Sequence, residues 1–66
     1  MKYKVFLNIG TEQIMKTYSD EKKATRVFIE CINVIMSLKS KLTYPEVTLY
    51  KLAHGGVYEE IGGYRP

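Results

Sequence analysis

Few side chains in this 66-residue sequence could carry out a reaction, and His54 and Cys31 are the first to consider. His54 is the single histidine, and histidine can act as an acid, a base or a ligand near neutral pH. No partner group accompanies it, and two glycines follow it directly. We therefore interpret His54 as a polar residue beside a turn, with contact to a ligand or partner as the functional alternative.

Cys31 is the single cysteine, which excludes a disulfide within the chain. It falls on the apolar stripe of a predicted helix, where cysteine behaves as a small hydrophobic residue and a nucleophile would be inaccessible. Cys31 and His54 are too few for the four-ligand sites that zinc prefers. The sequence therefore predicts no metal site and no bound cofactor.

The acidic residues and the glycines do not form a known catalytic pattern either. Glu59 and Glu60 are neighbours in a predicted strand, so their side chains point to opposite faces and cannot share a substrate. Asp20 is placed to serve the start of a helix. His54-Gly55-Gly56 lacks the spacing and the following helix of a phosphate-binding loop. We predict that the protein is not an enzyme.

The elements that position these residues can be recognised from their periodicity. Residues 2–9 alternate between apolar and polar positions, as a strand does, and residues 13–18 form a second strand after Gly10. A two-residue turn at Gly10-Thr11 would place Leu7 opposite Ile14. Two further strands are predicted at 47–53 and 57–61, on either side of Gly55-Gly56. A two-residue turn there would pair Lys51 with Glu60, whereas a three-residue loop beginning at His54 would pair Ala53 with Val57.

One long helix is predicted between the two hairpins, with Ser19 as its N-cap and Pro45 preventing its continuation. This order predicts an α+β fold, in which a four-stranded antiparallel sheet (ββαββ) has one long helix packed on one face. We expect a single domain over residues 1–61. Residues 62–66 are predicted to form a flexible C-terminal tail.

The apolar surface of this helix is wider than one sheet requires. The predicted core stripe spans an arc of about 120° and consists of Ala24, Val27, Phe28, Cys31, Val34, Ile35 and Leu38. A second stripe beside it widens the apolar arc to about 220°, and we call it the outer stripe: Thr25, Ile29, Ile32 and Met36. Contiguous exposed apolar surface commonly marks an interaction site. The outer stripe is therefore the predicted interface, either between subunits or with a partner protein. The structural alternative is that the twisted sheet or the Lys41–Pro45 connection covers it.

A second candidate surface is the sheet face away from the helix. Phe6, Met15 and Tyr50 would form an apolar strip there, which Tyr58 would join if the second loop has three residues. Tyr64 and Arg65 in the predicted tail could add a stacking ring and a phosphate contact. Such a surface could bind a small nucleotide, or, less in keeping with the sequence, a single-stranded nucleic acid.

Charge and hydropathy limit the remaining classes of protein to which the chain could belong. Ten basic residues stand against seven acidic ones, and they are dispersed rather than clustered as in a dedicated nucleic-acid binder. No apolar run approaches the ~20 residues that a membrane span requires. Lys2-Tyr3-Lys4 leads directly into a strand-like segment, so a signal peptide is not expected and the predicted compartment is the cytoplasm.

The sequence therefore favours a small binding protein. Short chains usually need disulfides, a metal or a partner subunit to be stable. A partner subunit or a core that is just sufficient remains, and of these we expect a homo-oligomer, in the first place a dimer. The size and lack of chemistry are typical of accessory proteins of phages and mobile elements, which suggests an inhibitor of a host protein such as a defence enzyme. An oligomeric protein that sequesters a signalling nucleotide is the alternative.

Overall fold

The computed structural model describes residues 2–66, and for Lys39 it describes the backbone alone. The elements in chain order are strands β1 (Tyr3–Asn8) and β2 (Gln13–Tyr18), helix α1 (Glu21–Leu38), and strands β3 (Glu46–Leu52) and β4 (Tyr58–Tyr64). The strands form one antiparallel sheet in the order β2-β1-β3-β4, and α1 packs on one of its faces. The predicted α+β architecture is confirmed.

The β1–β2 hairpin has the predicted two-residue turn. The Ile9 amide donates a hydrogen bond to the Glu12 carbonyl over 3.0 Å, and Leu7 lies opposite Ile14. Gly10 adopts φ of 93°, which L residues disfavour, and a Cβ there would lie only 2.8 Å from the Thr43 carbonyl oxygen. Glycine is therefore required at this turn for conformation and for space.

The β3–β4 connection is the three-residue loop of the two alternatives. The Ala53 amide donates to the Val57 carbonyl over 2.7 Å, and His54–Gly56 form a short 3-10 turn between them. Lys51 consequently lies opposite Glu59 rather than Glu60. Gly55 and Gly56 both have positive φ, which explains the glycine pair.

The C-terminal end is more ordered than the sequence suggested. Strand β4 continues to Tyr64, so residues 62–64 belong to the sheet and not to a flexible tail. A bulge between Leu49 and Tyr50 shifts the register, after which Gly62, Gly63 and Tyr64 pair with β3. The side chain of Tyr64 packs against the core, which fixes the end of the strand.

Helix α1 is capped by Asp20 rather than by Ser19. The Asp20 Oδ1 atom accepts a hydrogen bond from the Lys22 amide over 3.1 Å, and the Asp20 carbonyl accepts the first helical bond from Ala24. The Tyr3 hydroxyl donates to the Glu21 carboxylate over 3.4 Å, which ties the start of the helix to β1.

The core lies between α1 and the two central strands. Ala24 and Ile35 of the helix are fully buried against a set of strand residues, namely Tyr3, Val5, Val47 and Leu49. Val34 and Leu38, predicted to be core residues, are instead 47% and 41% exposed. Val34 lies at the edge of the buried arc. Leu38 ends a helix of about 27 Å that crosses strands of only about 20–23 Å.

Candidate interaction surfaces

The outer stripe lies along one flank of α1, on the side of β4. Its neighbour Phe28 is so close to β4 that a Cβ at Gly62 would lie 3.3 Å from its ring. Ile29 and Met36 are 49% and 56% exposed, whereas Thr25 is half-buried. Ile32 packs against the core from the edge of the stripe. The two most exposed members lie seven positions apart, or two helical turns, and so face the same direction.

The opposite flank of α1 carries a shallow groove that the sequence did not reveal. The groove, of about 190 Å³, separates the helix from β2 and is lined by Val5, Leu7, Ile14, Lys16, Tyr18, Val27 and Cys31. Val34 lies three positions after Cys31 and seven after Val27, so it extends the same flank. We call this feature the β2 groove.

Apolar side chains are therefore exposed on both flanks of the helix. Sequence periodicity placed the surplus apolar surface on the outer stripe alone, because it counted Val34, at one edge of the predicted core stripe, as a core residue. In the structure Ile35 and Ala24 form the centre, which leaves Val34 exposed beside β2. The signal that could have revealed this is in β2 itself: the strand has Lys16 on its helix-facing side, where a fully covered strand would have an apolar residue.

The far face of the sheet brings together the four residues predicted there. Phe6 lies opposite Met15 on one side and Thr48 on the other, and Tyr50 lies opposite Lys4. The three-residue loop places Tyr58 on this face, where the Lys4 ammonium lies 4.2 Å from the centre of its ring. Phe6, Tyr50 and Tyr58 are each half-buried, whereas Met15 is exposed.

Arg65 is held on this face by two carboxylates. Its Nε atom donates to Glu46 over 3.0 Å, and its Nη2 atom donates to Glu60 over 3.2 Å. The hydrogen bonds to Glu60 and Glu46 raise the pKa of Arg65 further above its ordinary value. Two donors of its guanidinium group are already directed to carboxylates, which leaves this face with little net positive charge for a phosphate.

Tyr64 and Arg65 do not form the joint contact that the sequence suggested. Tyr64 pairs with Val47 and packs on the helix side of the sheet. The Arg65 side chain lies on the other side, close to Gly63 and Glu60. The two side chains are thus separated by the sheet and cannot hold one base and one phosphate together.

The residues considered for catalysis remain apart. His54 is exposed in the β3–β4 loop, at an open depression that it shares with Lys51, Leu52, Ala53 and Glu59. Cys31 lines the β2 groove, where burial, with a smaller contribution from Glu30, raises the pKa of its thiol. Across residues 2–66, no three His, Cys, Asp or Glu side chains are grouped so as to hold a metal ion.

Comparisons with protein-family models, with curated proteins and with solved structures found no match to this chain. Within the part of the chain that the structure describes, no helix is long and apolar enough to cross a membrane.

Proposed function

We propose that the protein acts without chemistry of its own, by binding another protein through the outer stripe of α1. The predicted partner is a host protein. The observation that supports this is the exposure of Ile29 and Met36 on one helical flank. Apolar helix faces of this kind bind in grooves or against other helices, with anchors spaced by three, four or seven positions.

The flank has the composition of a docking surface. Ile29 and Met36 are large apolar anchors, Thr25 and Ile32 surround them, and methionine adapts to irregular partner surfaces. Glu30 and Asn33 follow on the solvent side and are exposed, so they would form a polar rim. The same helix is fixed to the sheet through Ala24 and Ile35, which presents the anchors on a rigid element.

Photo-crosslinking tests this proposal directly. A photoreactive phenylalanine analogue at position 29 or 36 should give one discrete protein adduct in cells that produce the protein. The same analogue at position 33, on the polar side of α1, is the matched control and should give none. Ile29→Glu and Met36→Glu should abolish the adduct formed from the other position and leave the circular dichroism spectrum unchanged, whereas Asn33→Glu should preserve it.

Two outcomes would contradict the proposal. One is adduct formation of equal yield from positions 29, 36 and 33, which would indicate random contact. The other is an adduct that persists in both glutamate variants, since a carboxylate buried at an apolar contact carries a large desolvation cost.

A nucleotide ligand is the weaker proposal. Tyr64 and Arg65 were expected to contribute to it together, and these side chains lie on opposite sides of the sheet. A thermal shift of the folded protein by any member of a nucleotide panel would restore it.

A further inference from the structure

The free edge of β2 has unpaired peptide groups in a defined pattern. Hydrogen bonding alternates along an antiparallel pair. Because Ile9 bonds to Glu12, the register makes Ile14, Lys16 and Tyr18 the residues whose peptide groups bond to β1. The intervening residues direct their N–H and C=O groups away from the sheet, and these are Gln13, Met15 and Thr17.

The two edges of the sheet differ in how they are protected against pairing. Strand β4 has two glycines, two adjacent glutamates and a bulge in its pairing with β3, all of which disfavour further pairing. Strand β2 has six residues with no glycine or proline, and its pairing with β1 is regular. Ile14 and Met15 are exposed on its two faces.

We infer that β2 pairs antiparallel with β2 of a second copy of this chain, centred on Met15, to give a two-fold-symmetric dimer with a continuous eight-stranded sheet. This goes beyond the proposed function and does not depend on it. The two-fold axis would be perpendicular to the sheet, so both helices would lie on the same face.

The charge pattern and the peptide pattern together select this register. In a dimer centred on Met15, each of the three outward-facing residues of one copy lies opposite an outward-facing residue of the other copy, so six hydrogen bonds form between the edges. In a dimer centred on Ile14, only two of the three outward-facing residues of each copy would have such a partner, so only four hydrogen bonds would form. Centring on Lys16 would place two lysines directly opposite each other, which is destabilising. In the Met15 register the aliphatic part of Lys16 instead lies against Ile14 of the second copy.

The surface and shape of the single chain support a second subunit. A monomer of this mass typically exposes ~4,300 Å², whereas this chain exposes 4727 Å². Its radius of gyration is 11.9 Å, compared with ~10.8 Å for a typical domain of this length. The chain thus has more surface than one core of its size normally leaves exposed, and the uncovered β2 contributes to it.

The dimer would leave both outer stripes free. The stripes lie on the β4 side of each helix, away from the β2 edge. Each helix lies over β1 and β3, so the two helices would be separated by roughly four strand spacings, or about 19 Å. This exceeds the distance of about 8–10 Å between the axes of packed helices, so the two helices would not pack against each other. The pairing therefore presents two partner-binding flanks at opposite ends of one rigid sheet.

Cysteine cross-linking tests the register. Met15 of each copy would occupy a hydrogen-bonded pair whose Cα atoms are about 5.5 Å apart, so a short bifunctional thiol reagent can join cysteines at this position. In a Cys31→Ala background, Met15→Cys should form a covalent dimer with this reagent. The matched control is Ile61→Cys on the β4 edge, which is similarly exposed and should remain monomeric under the same conditions.

Met15→Lys provides a second measurement, because it places two like charges opposite each other in the dimer yet lies on an exposed position of the monomer. We expect a dimeric molar mass by light scattering for the wild type and a monomeric mass for Met15→Lys, with unchanged circular dichroism. Equal cross-linking from positions 15 and 61, or a monomeric wild type at all concentrations, would overturn the inference. Either result would leave the photo-crosslinking from positions 29 and 36 unaffected, so the two proposals fail separately.

Discussion

Gly62 and Gly63 are neighbours in β4 whose sequence context is alike but whose surroundings differ. A Cβ at Gly62 would lie 3.3 Å from the Phe28 ring and 3.8 Å from Leu49, within the core side of the sheet. A Cβ at Gly63 would meet only the Arg65 and Glu60 side chains, which are exposed and can move. Gly62→Ala should therefore destabilise the protein by about 1–3 kcal/mol through overpacking.

Gly63→Ala is the matched control and should be neutral or stabilising by ~0.5 kcal/mol, since alanine is less flexible than glycine in a strand. Urea unfolding of the two variants measures the difference in the free energy of unfolding. Equal effects of the two substitutions would contradict the close approach of Phe28 to β4.

The Cys31 thiol should react slowly in the folded protein. Its pKa is raised by burial and by Glu30, so a smaller fraction is thiolate at a given pH, and the thiolate is the reactive form. At pH 8 we expect alkylation on the order of tenfold slower than in urea-unfolded protein. The alkylation rate of the folded protein should still increase with pH where the rate for free cysteine has reached its plateau. Identical rates in the folded and unfolded protein would show that the β2 groove leaves the thiol open to solvent.

At the scale of the elements, the orientation of α1 about its axis determines which flanks are exposed. Val34 and Ile35 are adjacent, and the sequence predicted both to be core residues, but Ile35 is fully buried and Val34 is half-exposed. Ile35→Ala should cost about 2–5 kcal/mol of unfolding free energy, and Val34→Ala less than about 1 kcal/mol. Chemical denaturation measures both. A comparable loss for the two variants would mean that the helix is rotated toward β2.

Local signals predicted the parts of the fold that depend on local geometry. Gly10 with Thr11 identified the first turn, and the order of strands and helix predicted the sheet. The sequence did not decide the register at the His54 loop, because Gly55-Gly56 fits both a two-residue turn and a three-residue loop that includes His54. Residues 62–64 were missed since Gly62 and Gly63 resemble a break in the strand, and only the bulge and the packing of Tyr64 explain their pairing.

The candidate surfaces could also be predicted only in part, because they depend on how the elements pack against one another. Periodicity identified Ile29 and Met36, because they lie far from the centre of any plausible core arc. It could not reveal the β2 groove, since whether Val34 is covered depends on how closely β2 approaches the helix. The free peptide groups of Gln13, Met15 and Thr17 depend on strand order, which is a property of the whole sheet.

At the scale of the whole molecule, we propose separate surfaces for the two interactions: β2 for self-association and the outer stripe for a partner. Sedimentation velocity over a range of concentrations tests this separation most directly, on the wild type, Met15→Lys and the double variant Ile29→Glu/Met36→Glu. We expect dimers of the wild type and of the double variant, and monomers of Met15→Lys. A dimer that is lost in the double variant and retained in Met15→Lys would contradict this assignment of surfaces, because it would place the subunit contact on the helix.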